Sequence, residues 1–396
     1  MESSRIPRRE LEERMGRLQA ALRAQGLDGA VILQRADLIY YTDSVFQGAL
    51  IVPAEGTAGL FVWRGEGLLS PLCPLAPTVV RGMGKLPAEL AETEWRDWHR
   101  IGFEEDVLPV ALWKHVGAVW PAGERADVSP LIRSQRQVKS DSELVRVRRS
   151  GRALSEGFNA LRRLLREGRR EFEVQMEMEM VLRRAGDQAG GRSRAFNSEA
   201  RGVVACGSAA AVETAFDGPI GQPGRNPLAP FGAGGGEIRP NTPVIVDVTA
   251  GIDGYLTDMT RTFYLGKLDK RFREAHAFCV HVLEEMTRRL VPGAVPEELY
   301  LWAVEQAEAA GWAEHFMNRG RNKVRFLAHG IGLELDELPV LARRFCDPLQ
   351  ENMVIAVEPK VVFEDGGVGV EDTLIVKPGG AEIVTPMERG LIRLPD

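Results

Sequence analysis

Two pairs of acidic residues lie in strand-like sequence, where carboxylates are expensive. Asp247 and Asp258 stand at equal distances on either side of Gly251-Ile252-Asp253-Gly254 in VIVDVTAGIDGYLTDMTRTFYLG. A symmetric hairpin about that turn pairs them directly, with Cβ atoms about 4.5–5.5 Å apart, and like charges so placed destabilise a sheet. Glu358 in NMVIAVEPKVVF and Glu371 in GVGVEDTLIV repeat the arrangement about Glu364-Asp365. The flanking Val and Ile residues mark strands, and a carboxylate buried among them needs a partner.

A cation satisfies all four acids at once. Carboxylate oxygens suit hard divalent metals such as Mn, Mg or Co, and one added imidazole suits the transition metals, zinc included. The imidazole candidate is His329 in RFLAHGIGLELDELP, where Gly330 and Gly332 permit close backbone approach. His99, His115, His276, His281 and His315 have no comparable acidic or glycine context.

These residues need a scaffold, and the chain supplies two. The first part opens with an amphipathic helix over Arg8–Gln25, stopped by Gly26 and followed by an apolar strand at Ala30–Leu33. Further strands are expected at Ala49–Pro53 and Gly59–Trp63 and then a helix-rich passage, so residues 1–135 read as a small α/β domain. From Lys139 the texture becomes a long helical pattern, with a second helix over Phe172–Arg184, which places the boundary near Pro130–Lys139. A Gly- and Pro-rich passage from Gly218 to Pro243 is too long for a plain connection and is expected to line a site. Strands, two helices near Lys270–Arg289 and Pro296–Ala310, and further strands complete residues 136–396, an α+β arrangement.

Composition is consistent with a globular enzyme: 396 residues, 44% hydrophobic and 27% charged, with a formal charge of −6. No basic run follows a nucleic-acid backbone, and the arginines from Arg162 to Arg170 alternate with Leu161, Leu164 and Leu165 as a solvated helix face. Cys73, Cys206, Cys279 and Cys346 form no CxxC pair, which suits a reducing compartment and small core positions. The charged N-terminus and the lack of a run of about eighteen apolar residues point away from secretion and membrane insertion, toward the cytoplasm.

The second half resembles the superfamily of methionine aminopeptidase, aminopeptidase P, prolidase and creatinase. DVTAGIDGYLTDMTRTF is similar to its first metal motif, AHGIGLELDELP to its histidine motif, and AVEP and GVGVEDTLIV to its two glutamate motifs. The first helix, a strand carrying LIYYTD and the SQRQVKSDSEL hinge resemble the creatinase-type N-terminal domain of prolidases and aminopeptidases P. The resemblance implies a C-terminal pita-bread domain behind a smaller creatinase-type α/β domain. It also implies two divalent ions (Mn, Co or Zn) on Asp247, Asp258, His329, Glu358 and Glu371. Their bound hydroxide would attack a peptide or amide bond, with Glu358 moving a proton, in a homodimer that cleaves Xaa-Pro substrates.

Three positions depart from the peptidases' pattern, and all concern substrate. Seven residues after His329, where they carry a second histidine, Leu335-Asp336-Glu337 places Asp336, an acceptor or base rather than a donor. Pro230-Phe231-Gly232 stands near their Pro-His-Gly, so a ring that can only pack replaces an imidazole. Gly369 replaces the arginine that prolidase and aminopeptidase P present two residues before the last glutamate, the natural fork for a substrate carboxylate. Arg225, Arg261 and Arg325 are the candidates to take over that role. Catalytic roles are therefore expected of Glu358, His329 and Asp336. The alternatives are a non-peptide amide hydrolase or lyase using the same metals, or a peptidase-like binding protein without catalysis.

Overall fold

The computed structural model describes residues 5–187, 191–196, 198–200 and 202–395. The chain forms two compact units, Met1–Arg136 and Gln137–Asp396.

The first unit is built on a six-stranded mixed sheet. Its strand order is Pro77–Val79, Gly59–Arg64, Gln47–Pro53, Gly29–Ile32, Arg100–Phe103, Glu124–Asp127. The opening helix, Arg8–Ala24, turns Leu11, Met15, Leu18 and Leu22 inward at the three- and four-residue spacing of one helical face. LIYYTD is helical rather than a strand: the helix Arg35–Thr42 contains most of it. Its β-favouring side chains are overruled by local and tertiary contacts. Gln34 caps Asp37 N, and the buried Asp37 carboxylate takes a 2.6 Å ion pair from Arg136.

In the second unit two antiparallel sheets each carry a pair of helices. One sheet runs Ile392–Arg393, Tyr255–Tyr264, Val244–Ile252, Val203–Cys206, with its outer strand Ile392–Arg393 joined in parallel. Helices Asp141–Leu164 and Glu171–Arg184 share a core with it through Leu154, Phe158, Leu161, Val174, Met178, Val246 and Met259. The first helix begins in a capping box, Ser140 Oγ accepting from Glu143 N while Glu143 accepts from Ser140 N. The other sheet runs Glu337–Ala342, Phe326–Gly330, Val354–Val357, Asp372–Ile375, Glu382–Ile383. Lys270–Arg289 and Pro296–Ala309 share its core through Cys279, Leu283, Met286, Ala303, Leu327, Ile355 and Leu374. A two-stranded ladder, Lys360–Phe363 with Gly366–Gly369, completes the unit. Of the cysteines, Cys206 and Cys279 are core residues, whereas Cys73 is half-buried and Cys346 exposed, so the expectation of four core positions holds for only two.

Candidate metal centre

The turn between Val244–Ile252 and Tyr255–Tyr264 is tighter than the sequence suggested. Only Asp253 and Gly254 lie outside the ladder, with φ of 51° and 87°, the left-handed pair of a two-residue hairpin turn. The register therefore shifts: Asp247 faces Thr260 and Asp258 faces Thr249, instead of the two aspartates facing each other. A two-residue offset preserves the face, so both carboxylates still point the same way. The second pair has the symmetric register. Val357 pairs with Asp372 and Lys360 with Gly369, which sets Glu358 opposite Glu371 at the junction of the two ladders. Glu371 joins the first sheet as well, its N–H donating to Thr260 O at 3.0 Å and its Oε2 accepting from Thr260 Oγ1 at 2.7 Å.

His329 lies on the Phe326–Gly330 strand, beside Ala356 of the Val354–Val357 strand. Its Nδ1 is 3.0 Å from Gly330 O, and because a carbonyl only accepts, the neutral imidazole carries its proton on Nδ1 and keeps its lone pair on Nε2. The close approach that Gly330 permits is to the neighbouring strand: a Cβ there would meet Leu338 O at 2.3 Å.

Asp258, His329 and Glu371 bring one ligand atom each to within 4.8 Å of one another, and so do Asp247, Glu358 and Glu371. The first group fits a cation. Its donors are two carboxylates and an imidazole, and Glu371 Oε1 is buried with no hydrogen-bond partner among the described residues, a costly state unless something positive faces it. The second group is already filled. Lys360 Nζ stands 2.9 Å from Asp247 Oδ2, 2.5 Å from Glu358 Oε2 and 3.2 Å from Glu371 Oε2, and its side chain is fully buried. An ammonium so placed competes with the expected second cation for the same three oxygens.

Lys360 is not among the residues expected from the sequence, though its position carries a signal. It lies two residues after Glu358, the same-face spacing in extended chain, inside an otherwise apolar strand. Burial works against its charged form, but Asp247, Glu358 and Glu371 prevail and hold the ammonium well above its ordinary value. Burial, with the Glu371 charge adding to it, raises Asp258 well above the usual carboxylate range and raises Asp247 also, despite Lys360. Burial likewise pushes Glu358 up to about 8 against the pull of Lys360 and His329. For His329, burial is outweighed by Asp336, Glu358 and Glu371, which raise it.

A cleft opens over Asp247, Asp258, His329 and Glu358, walled by Phe216, Gly218–Ile220, Phe231, Leu335 and Asp336. The long loop thus contributes to the site, and Phe231 packs there, stacked on Phe216 at 4.9 Å. Asp336 is half exposed, with Oδ1 3.7 Å from His329 Nδ1 and Oδ2 accepting from Ser193 Oγ at 3.2 Å. Arg261 cannot serve a substrate: it is fully buried and bonds Asp372 at 2.7 Å and Glu371 O at 2.7 Å. Arg225 is exposed and stacks on Phe172, and the exposed Arg325 is not in the cleft wall. Arg321 and Lys323 line an adjoining cavity of about 270 Å³ that shares Phe216–Gly218 and Ile220 with the cleft.

Comparison with known proteins agrees with this architecture. Residues 145–378 match Metallopeptidase family M24, and residues 14–138 match the Creatinase/Prolidase N-terminal domain. The Xaa-Pro dipeptidase of Pyrococcus furiosus is 26% identical, the alignment covering 96% of this chain and all of that protein. That of Lactobacillus delbrueckii subsp. lactis is 28% identical over 78% of this chain and 76% of its own. Among solved structures, an Xaa-Pro dipeptidase from Bacillus anthracis superposes with a TM-score of 0.82 at 23% identity, covering 97% of this chain and 100% of that one. The prolidase of Pyrococcus horikoshii gives 0.80 at 21% identity, covering 96% and 100%. The α+β unit with its helix-backed sheets is the pita-bread fold, and the chain belongs to metallopeptidase family M24, with a creatinase/prolidase-type domain at its N-terminal end.

Proposed function

We propose that this metallopeptidase hydrolyses a peptide or amide bond in a small peptide-like substrate, as the names of its Xaa-Pro dipeptidase relatives describe for them. The observation that carries the reading is the convergence of Asp258, His329 and Glu371, with the unpartnered Glu371 Oε1, beneath a cleft that also exposes Glu358 and Asp336. A divalent ion held by Asp258, His329 and Glu371, manganese, cobalt or zinc, would supply Lewis acidity for polarising a carbonyl and acidifying water.

The chain's own residues supply the rest. His329 is fixed through Nδ1 with Nε2 facing the centre. Glu358, 3.8 Å from His329 Nε2 and raised toward neutrality, is placed to accept a proton from water and return it to the leaving amine. Phe216, Phe231 and Leu335 give the cleft an apolar wall. The test is hydrolysis of Xaa-Pro dipeptides, longer peptides and simple amides by the metal-loaded protein. Glu358→Gln should lower kcat by about 10²–10⁴-fold; an unchanged kcat refutes the reading.

A second reading keeps the metal and changes the substrate. Asp336 faces His329 from the cleft wall where a peptidase histidine was expected, which favours a non-peptide amide hydrolase or a lyase with an added acid-base group. Turnover of such a compound with Xaa-Pro peptides inert, abolished in Asp336→Asn, would select it. A homodimer in the cytoplasm is part of the same proposal, resting on family resemblance and on the unbridged cysteines; a light-scattering mass equal to one chain would contradict the dimer.

A further inference from the structure

We propose that the Lys360 ammonium takes the place of a second cation, so that the centre works with one divalent ion, on Asp258, His329 and Glu371. This rests on the metal-dependent reading above and deepens it. An ammonium has three N–H donors and no lone pair, so it cannot ligate a metal, but it can donate to three acceptors. Lys360 Nζ has three: Asp247 Oδ2, Glu358 Oε2 and Glu371 Oε2, at 2.9, 2.5 and 3.2 Å. A cation bonded to those same oxygens at about 2.0–2.2 Å would have to stand where the nitrogen stands.

The backbone is adapted to this lysine. Lys360 pairs across the short ladder with Gly369, and a Cβ at 369 would lie 2.4 Å from Lys360 Cγ. The residue in the peptidases' arginine position is thus the one whose missing side chain lets the lysine stem pass. One change removes a group expected to grip substrate, and the same change makes room for a cation inside the centre. Lys360 is fully buried and is not in the cleft wall, so its charge acts on the carboxylates rather than on a substrate. Charge agrees. Asp247, Asp258, Glu358 and Glu371 against one ammonium leave a triple negative charge at most, which one divalent ion brings down to a single negative charge.

The experiment is metal stoichiometry, read without turnover. Chelator-stripped protein is equilibrated in turn with Mn(II), Co(II) and Zn(II), and tightly bound metal per chain is measured, with electron paramagnetic resonance of the manganese form. The expected result is one ion per wild-type chain with a magnetically isolated Mn(II) signal, and two ions in Lys360→Gly with an exchange-coupled signal. Two tight ions, or a coupled pair, in the wild type overturn the proposal and leave the hydrolase reading intact. No tight metal of any kind overturns both. A folded Lys360→Gly that still takes one ion also overturns it, and the wild-type measurement stands whether or not the variant folds.

Discussion

Gly369→Ala adds a single methyl group and tests whether the ladder was shaped around Lys360. The new Cβ would stand 2.4 Å from Lys360 Cγ, 3.0 Å from Pro359 O and 3.1 Å from Lys360 Cα, all closer than ordinary contact. A free lysine stem would swing aside, but this one is pinned at its far end by three carboxylates. The strain is therefore of the overpacking kind, about 1–3 kcal/mol. In a unit of this size each kcal/mol lowers Tm by about 2–4 °C. Lys360→Ala removes Cγ and the worst contact, leaving the lesser backbone approaches, so the same methyl should cost less than about 1 kcal/mol in that background. Scanning calorimetry on the four proteins of the cycle, all in the same excess of Mn(II), measures the coupling. Equal cost of Gly369→Ala in both backgrounds, or no cost beside Lys360, would refute the reasoning.

Three further outcomes follow from the geometry. Arg261→Met removes the buried donor that bonds Asp372 and the carbonyls of Thr260, Glu371, Met387 and Glu388, and should cost about 3–5 kcal/mol in urea unfolding, toward the lower end because Arg389 still pairs Asp372. His276 is buried, and burial first, then the Arg261 charge, lowers its pKa from 6.5 to about 4. The unfolded chain binds the proton first, so stability is intact above pH 6.5 and falls by up to about 3 kcal/mol as pH drops toward 4, a slope that His276→Gln should flatten in denaturation curves taken across that range. Asp336→Asn should lower kcat by about 10²–10⁴-fold if its carboxylate moves a proton; an effect on KM alone assigns it to positioning substrate.

Much of the site could be read from the chain because its aspartates lie on strands and its glutamates between paired strand ends, where a period of two turns spacing into facing. The Glu358–Glu371 register follows from symmetry about Glu364-Asp365, both of which lie in a real turn. The Asp247–Asp258 register differs from the symmetric expectation by two residues because Asp253 and Gly254 form a two-residue turn at positive φ, an Asp-Gly signature that symmetry about the longer Gly251–Gly254 stretch passes over. LIYYTD reads as a strand until Arg136, far along the chain, is seen pairing with Asp37. Lys360 was passed over for a physical reason. Lysine is ordinarily a solvated residue, and only the three carboxylates that the fold gathers around it make its burial tolerable. Arg261, one of three candidates for a substrate group, instead ties the Tyr255–Tyr264 strand to Glu371 and Asp372.

We propose that this M24 chain hydrolyses an amide or peptide bond with one divalent ion at Asp258, His329 and Glu371. Titrating metal-free protein with Mn(II), Co(II) or Zn(II) while following cleavage of an Xaa-Pro and amide panel tests it most directly. Activity is expected to rise linearly and reach its plateau at one equivalent per chain. A plateau reached only at two equivalents, or no hydrolysis with any metal and any substrate of the panel, would contradict it.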